Sequence, residues 1–169
     1  LYALPVLGEA IKRKQLENLV VVSPDTGFVK KARKYANFLG APLAIGYKER
    51  HGHDERAEVL EIIGDVRGKT ALIVDDFTIS GGTLVEAAQR LVEQGAEMVC
   101  AAVSHGAFTP GSMEKISASP IRHLLVTDTI ETQPVEFCDK IEVVSVAPLF
   151  AEAIRRIHNR ESISVLFPI

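Results

Sequence analysis

The chain has 169 residues, 47% apolar and 24% charged, with no tryptophan and a formal net charge of −3. Length and apolar content suit one domain with a single core. The mild acidity argues against a nucleic-acid surface, and no apolar run approaches the roughly 18–20 residues a membrane helix needs.

No secretory signal is readable at the N-terminus. The sequence begins at Leu1 and turns helical almost at once, which points to a trimmed chain or one part of a longer polypeptide. Leu4, Leu7, Gly8 and Ile11 recur at helical spacing in a segment ending near Glu17. A short buried-strand run follows at 19–23, and Pro24-Asp25-Thr26-Gly27 punctuates it. Phe28, Ala32, Tyr35, Ala36 and Leu39 mark the inner face of the next helix, which Gly40 and Pro42 stop. A second strand is expected at 43–46. From Tyr47 to Glu58 the sequence is polar without an apolar period, as in a loop or an exposed hairpin. Residues 59–63 are ambiguous between strand and helix.

The stretch 70–76 is a strand ending in Asp75-Asp76, and Ser80-Gly81-Gly82-Thr83 opens a helix whose stripe is Leu84, Ala87, Ala88, Leu91 and Val92. Further strands are expected at 98–103, 123–126 and 141–144, with a short helix at 113–118. Ser145 is placed as the cap of a last helix, with Pro148 in its first turn and Leu149, Ala153, Ile154 and Ile157 facing inward. Strands alternating with helices predict an α/β fold, a doubly wound and mainly parallel sheet, as a single domain over 1–169. Ligands of such sheets sit beyond the carboxyl ends of the strands. Asp25, Lys48 and Asp75–Asp76 all fall just there.

Glycines at a helix entrance present bare backbone N–H groups to a phosphate. Ser80, Gly81, Gly82 and Thr83 therefore read as a phosphate cradle, and Asp75 and Asp76 as ligands for ribose hydroxyls or magnesium. The bland alternative is a strand end and an ordinary turn with Thr83 as cap. Asp25 reads first as the cap of the following helix, and its place on the same rim as Asp75 keeps a magnesium or diphosphate role as the alternative. Lys48 and Arg50 are either solvated loop charges or cations that neutralise a moving phosphoryl group. His51, His53 and Asp54 make a poor zinc set and read as solvated. Asp128-Thr129 closes the fifth strand and reads by default as a turn, with a position pointing at the rim as the alternative. Two isolated cysteines, Cys100 and Cys138, fit a reducing cytoplasm better than a disulfide framework.

With these residues in hand, the chain resembles the C-terminal half of ribose-phosphate diphosphokinases, which share the type I phosphoribosyltransferase fold. The likeness runs through Val-Ser-Pro-Asp-x-Gly at 22–27, Lys-x-Arg at 48–50, Val-Asp-Asp…Gly-Gly-Thr at 74–83, Val-Ser-His-Gly at 103–106 and Val-Thr-Asp-Thr-Ile at 126–130. It implies transfer of diphosphate from ATP to ribose 5-phosphate, with Mg2+ as cofactor and a homo-oligomeric assembly. It further implies that Asp25 holds magnesium, that Lys48 and Arg50 act on the transferred group, and that Asp75, Asp76 and Ser80–Thr83 bind ribose 5-phosphate.

Two positions depart from the family pattern. Ile79 stands where the family has an acid, and Phe28 stands where a second glycine is common and is expected to crowd the diphosphate loop. The family's adenine-binding residues belong to a preceding domain, so a segment lacking it is expected to bind sugar phosphate with little turnover. Two alternatives remain open: a type I phosphoribosyltransferase that makes a nucleotide, and a non-catalytic synthetase-associated regulatory subunit.

Overall fold

A computed structural model describes residues 1–50, 58–131 and 138–167. The elements alternate along the chain: α1 (Leu4–Arg13), β1 (Leu19–Ser23), α2 (Val29–Leu39), β2 (Leu43–Arg50), β3 (Glu58–Ile63), β4 (Thr70–Thr78), α3 (Gly82–Glu93), β5 (Met98–Gly106), α4 (Ser112–Ala118), β6 (Ile121–Thr127), β7 (Ile141–Val144) and α5 (Ala147–His158). Local chemistry sets many of the boundaries. Proline sits in the first turn of α1 and α5, and basic residues close both helices. Gly40 ends α2 in the left-handed conformation at φ 65°.

Seven strands form one sheet in the order β3-β2-β1-β4-β5-β6-β7, parallel throughout except for the antiparallel β2–β3 pair. Both faces are covered, so the central strands are apolar without alternation. In β4, Ala71 and Ile73 join the core under α3 and α4, while Leu72 and Val74 join the opposite core under α1 and α2. The chain winds outward in one direction through β1 and β2 and in the other through β4 to β7. A switch point therefore lies between β1 and β4, where ligand crevices form in such sheets.

Three expectations change. The 43–46 strand runs on to Arg50 and pairs antiparallel with β3, so the exposed-hairpin alternative holds for the described part of 47–58. The ambiguous segment 59–63 is a strand, fixed by that pairing rather than by its own periodicity. Finally, Ile154 and Ile157 do not face inward: α5 follows the terminal strand, buries only Ala153, and leaves them 65% and 63% exposed. Val92, at the margin of the α3 stripe, is likewise exposed. His51, His53 and Asp54 lie outside the described residues.

Candidate active site

The switch point gathers residues far apart in sequence. Val22 of β1 pairs with Ile73 of β4, so the chain leaving β1 emerges beside β4, which runs on past the expected end at 76 to Thr78 because it stays paired with β5. One carries Asp25 and the other Asp75–Asp76. The Asp25 turn is held from within: the Ser23 hydroxyl donates to the Asp25 carbonyl at 2.7 Å, and the Phe28 N–H donates to Asp25 Oδ1 at 2.9 Å. Asp25 thus stands three residues before the N-cap position of α2 and braces the turn rather than serving as the cap itself. Phe28 does not crowd this loop, because its ring is buried in the core against α1 and α2.

The two adjacent carboxylates differ sharply. Burial pushes Asp75 up to about 6; the Asp76 N–H, donating to Asp75 Oδ1 at 2.8 Å, opposes this, and the charges of Asp76 and Asp25 add to it. For Asp76, burial also pushes upward. The hydrogen bond and charge of Lys31, whose Nζ lies 2.8 Å from Asp76 Oδ2, outweigh it and hold this carboxyl below its ordinary range. The two neighbours are thus pushed in opposite directions, Asp76 toward the ionised form and Asp75 toward the protonated one.

Next along the chain comes the cradle. Gly81 adopts φ 73°, the left-handed region that glycine tolerates, and α3 begins at Gly82. No side chain caps the helix, and Thr83 lies inside its first turn rather than at the cap. The first amides of this 12-residue helix therefore lack intrahelical acceptors, and Gly82 and Thr83 are exposed. The Ser80 hydroxyl accepts from the Gly82 N–H at 3.3 Å, a weak bond that an incoming anion can replace. Amide donors, hydroxyls and the helix dipole together make an anion seat.

Lys48 and Arg50 lie on β2, opposite Leu60 and Glu58 of β3. Ser23, the end of β1, pairs with Ile45, so Lys48 stands three residues, about 10 Å, beyond the rim at roughly 3.3 Å per residue. The ribbon that carries both cations projects past the end of β1, alongside the equally extended β4. Among the described residues no three His, Cys, Asp or Glu side chains converge to hold a metal. A magnesium ion that keeps several waters and takes one carboxylate plus phosphate oxygens still suits the Asp25 turn.

Lys31 was not singled out from sequence. The available signal was its place in the first turn of α2, where the helix dipole disfavours a cation; the carboxylate of Asp76 supplies the compensation. Asp128 accepts from the Ser145 hydroxyl at 2.6 Å and the Val146 N–H at 2.8 Å, which ties the β6 turn to the start of α5. Ser145 itself sits one residue before the N-cap Val146, and its hydroxyl accepts from the Ala147 N–H.

Residues 55–168 match the family model described as the phosphoribosyl synthetase-associated domain. A ribose-phosphate pyrophosphokinase from Caldanaerobacter subterraneus is 48% identical over 164 residues, which cover 96% of this chain and 52% of that protein. The crystal structure of phosphoribosylpyrophosphate synthetase from Mycobacterium smegmatis superimposes with a TM-score of 0.84 at 33% identity, over 94% of this chain and 51% of that one. Orotate phosphoribosyltransferase from Aeropyrum pernix shares the fold, with a TM-score of 0.58 at 21% identity over 90% of this chain and 74% of its own. The chain spans about half the length of the curated relatives it matches.

Proposed function

The chain belongs to the phosphoribosyl synthetase-associated domain family, and from that premise we propose that it supplies the ribose 5-phosphate site and catalytic ribbon of a ribose-phosphate diphosphokinase. The reaction transfers a diphosphoryl group from ATP to the anomeric hydroxyl of ribose 5-phosphate. A new bond forms from the anomeric oxygen to the β-phosphorus, the bond between the α- and β-phosphoryl groups breaks, and AMP leaves. The single observation that carries the reading is the meeting at one switch point of the Asp75–Asp76 pair with an uncapped, glycine-opened helix.

Each half suits one end of the sugar phosphate. The amides at the start of α3, with the hydroxyls of Ser80 and Thr83, seat the 5-phosphate. Asp75 and Asp76 accept from the ribose hydroxyls, with Lys31 fixing the Asp76 carboxylate in place. Lys48 and Arg50 neutralise charge on the diphosphoryl group as it moves, which is most of what a protein contributes to such a transfer. Asp25 would hold Mg2+, which would supply further charge neutralisation on the phosphates. The work is positioning and electrostatics, with no covalent nucleophile.

Free, buried Cys100 and Cys138 suit a cytoplasmic setting, and nucleotide biosynthesis is the process served. Homo-oligomers and an ATP site completed outside these residues form part of the same reading. Calorimetric titration of ribose 5-phosphate in the presence of Mg2+ tests it: binding is expected, and it should be lost in Asp76→Asn. Release of AMP from ATP should be slow with this chain alone. Nucleotide formation from phosphoribosyl diphosphate and a free base would instead favour a phosphoribosyltransferase.

A further inference from the structure

We infer that Ser112, the first residue of α4, is a positioning residue that sets the phosphate cradle from the neighbouring βα unit. The inference rests on reading Ser80–Thr83 as the seat of a sugar phosphate.

Within the turn entering the cradle, the Ser80 hydroxyl accepts a long bond at 3.3 Å from the Gly82 N–H, and stronger support comes from outside. The Ile79 side chain is 49% exposed, so the departure at this position leaves its carbonyl as the anchored group. That carbonyl accepts from the Thr109 N–H at 3.1 Å and from the Ser112 hydroxyl at 3.1 Å. One residue earlier, the Thr78 carbonyl accepts from the Ala107 N–H at 2.9 Å. The segment after β5 therefore grips two successive peptide groups of the segment after β4.

Ser112 is the hub of this grip and is 1% exposed. Its oxygen accepts from the Thr109 N–H at 3.0 Å and lies 3.2 Å from the Thr109 hydroxyl. Its single proton is shared between the Ile79 carbonyl and the Thr109 carbonyl, the latter at 2.6 Å. One buried hydroxyl thus orders both the 109–112 turn and the Ile79 carbonyl.

The consequence reaches the cradle through covalent geometry. The Ile79–Ser80 peptide is trans, so its C=O and N–H point in opposite directions. Fixing the Ile79 carbonyl toward α4 fixes the Ser80 N–H away from α4. A second support lies one turn along the same helix: a Cβ on Gly81 would come within 3.1 Å of Ile116, which is fully buried beneath the turn. Ser112 and Ile116 together hold the entrance to α3 in the shape that presents its amides. An anion seat made of amides depends on their mutual orientation, so loosening this grip weakens phosphate binding without touching the ligand.

The test compares the chain with Ser112→Ala and Ser112→Cys by titration with ribose 5-phosphate and, separately, inorganic phosphate at 25 °C, with folding checked by circular dichroism. Affinity for both ligands should fall roughly five- to tenfold in Ser112→Ala and by less in Ser112→Cys, whose thiol keeps a weak donor and acceptor. A folded Ser112→Ala chain with a lower melting temperature but unchanged affinity would make Ser112 a purely structural residue and overturn the inference. Failure of the parent chain to bind either ligand would remove the site reading itself. Should Ser112→Ala not fold, amide exchange on the parent decides: the Thr109 N–H should be strongly protected although Thr109 is exposed, and rapid exchange there would refute the grip.

Discussion

Substituting Gly46 by alanine should damage the Asp25 turn from the strand beside it. Gly46 lies on β2, one residue past the last pairing with β1, where the chain leaving β1 crosses close to it. An alanine Cβ would stand 2.4 Å from the Pro24 carbonyl oxygen and 2.9 Å from the Pro24 carbonyl carbon. Ordinary contact begins near 3.4 Å, so the shortfall is about 1 Å, and it falls on backbone that cannot rotate away. Leu60 on the other side, at 3.2 Å, can yield by a small rotamer change. Overpacking of this kind costs about 1–3 kcal/mol. The stiffer unfolded chain that alanine gives returns about 0.4–1 kcal/mol. The net loss should be up to about 2.6 kcal/mol, read from urea unfolding followed by circular dichroism. The displaced group is the residue before Asp25, so magnesium diphosphate binding should also weaken. An unfolding midpoint and a diphosphate affinity both equal to the parent's would refute the close approach.

Asp75 should make the folded chain pH-sensitive. Its pKa near 6 stands above the ordinary 3.8, so the folded state holds this proton more tightly than the unfolded state does. The group therefore opposes folding fully above pH 6, and the penalty fades as pH falls through the interval to 3.8. Asp75→Asn should melt higher than the parent at pH 8 and converge with it at pH 4, while binding ribose 5-phosphate less well; a lower melting temperature at pH 8 would contradict the assignment. Gly81→Ala places a side chain in the left-handed region and against Ile116, and should cost about 1–2 kcal/mol in chemical denaturation together with most of the phosphate affinity. Lys140 donates to the carbonyls of Ser117 at 2.6 Å and Ser119 at 2.7 Å, closing the carboxyl end of α4. Lys140→Met should lower unfolding free energy by about 1–3 kcal/mol with ribose 5-phosphate affinity unchanged.

Much of this was legible because the signals were local. The apolar runs at 19–22 and 71–74 announced strands buried on both faces, and glycine marked helix ends at 40 and 95. Asp75-Asp76 and Ser80–Thr83 were readable as a unit because strand end and helix start are adjacent in sequence. What escaped depended on neighbours across the fold. The strand character of 59–63 comes from pairing with β2, which no periodicity within five residues reveals. Ile154 and Ile157 carry the helical pattern of a buried face, yet α5 lies outside the terminal strand and nothing among the described residues buries them. Lys31 and Ser112 act over gaps of 45 and 33 positions, so only the folded chain brings them to the carboxylates and the cradle.

The switch point between β1 and β4 also has a kinetic meaning. Asp25 and Asp75 are 50 positions apart, and the chain between their strands supplies β2 and β3 on the far side of β1. Joining β1 to β4 closes a loop of about 50 residues, an entropic cost met before any contact across the crevice repays it. The crevice should therefore be among the last features to appear during refolding. A ligand that recognises both sides of it would report completion of the sheet centre rather than collapse, and would stabilise the finished chain by mass action alone.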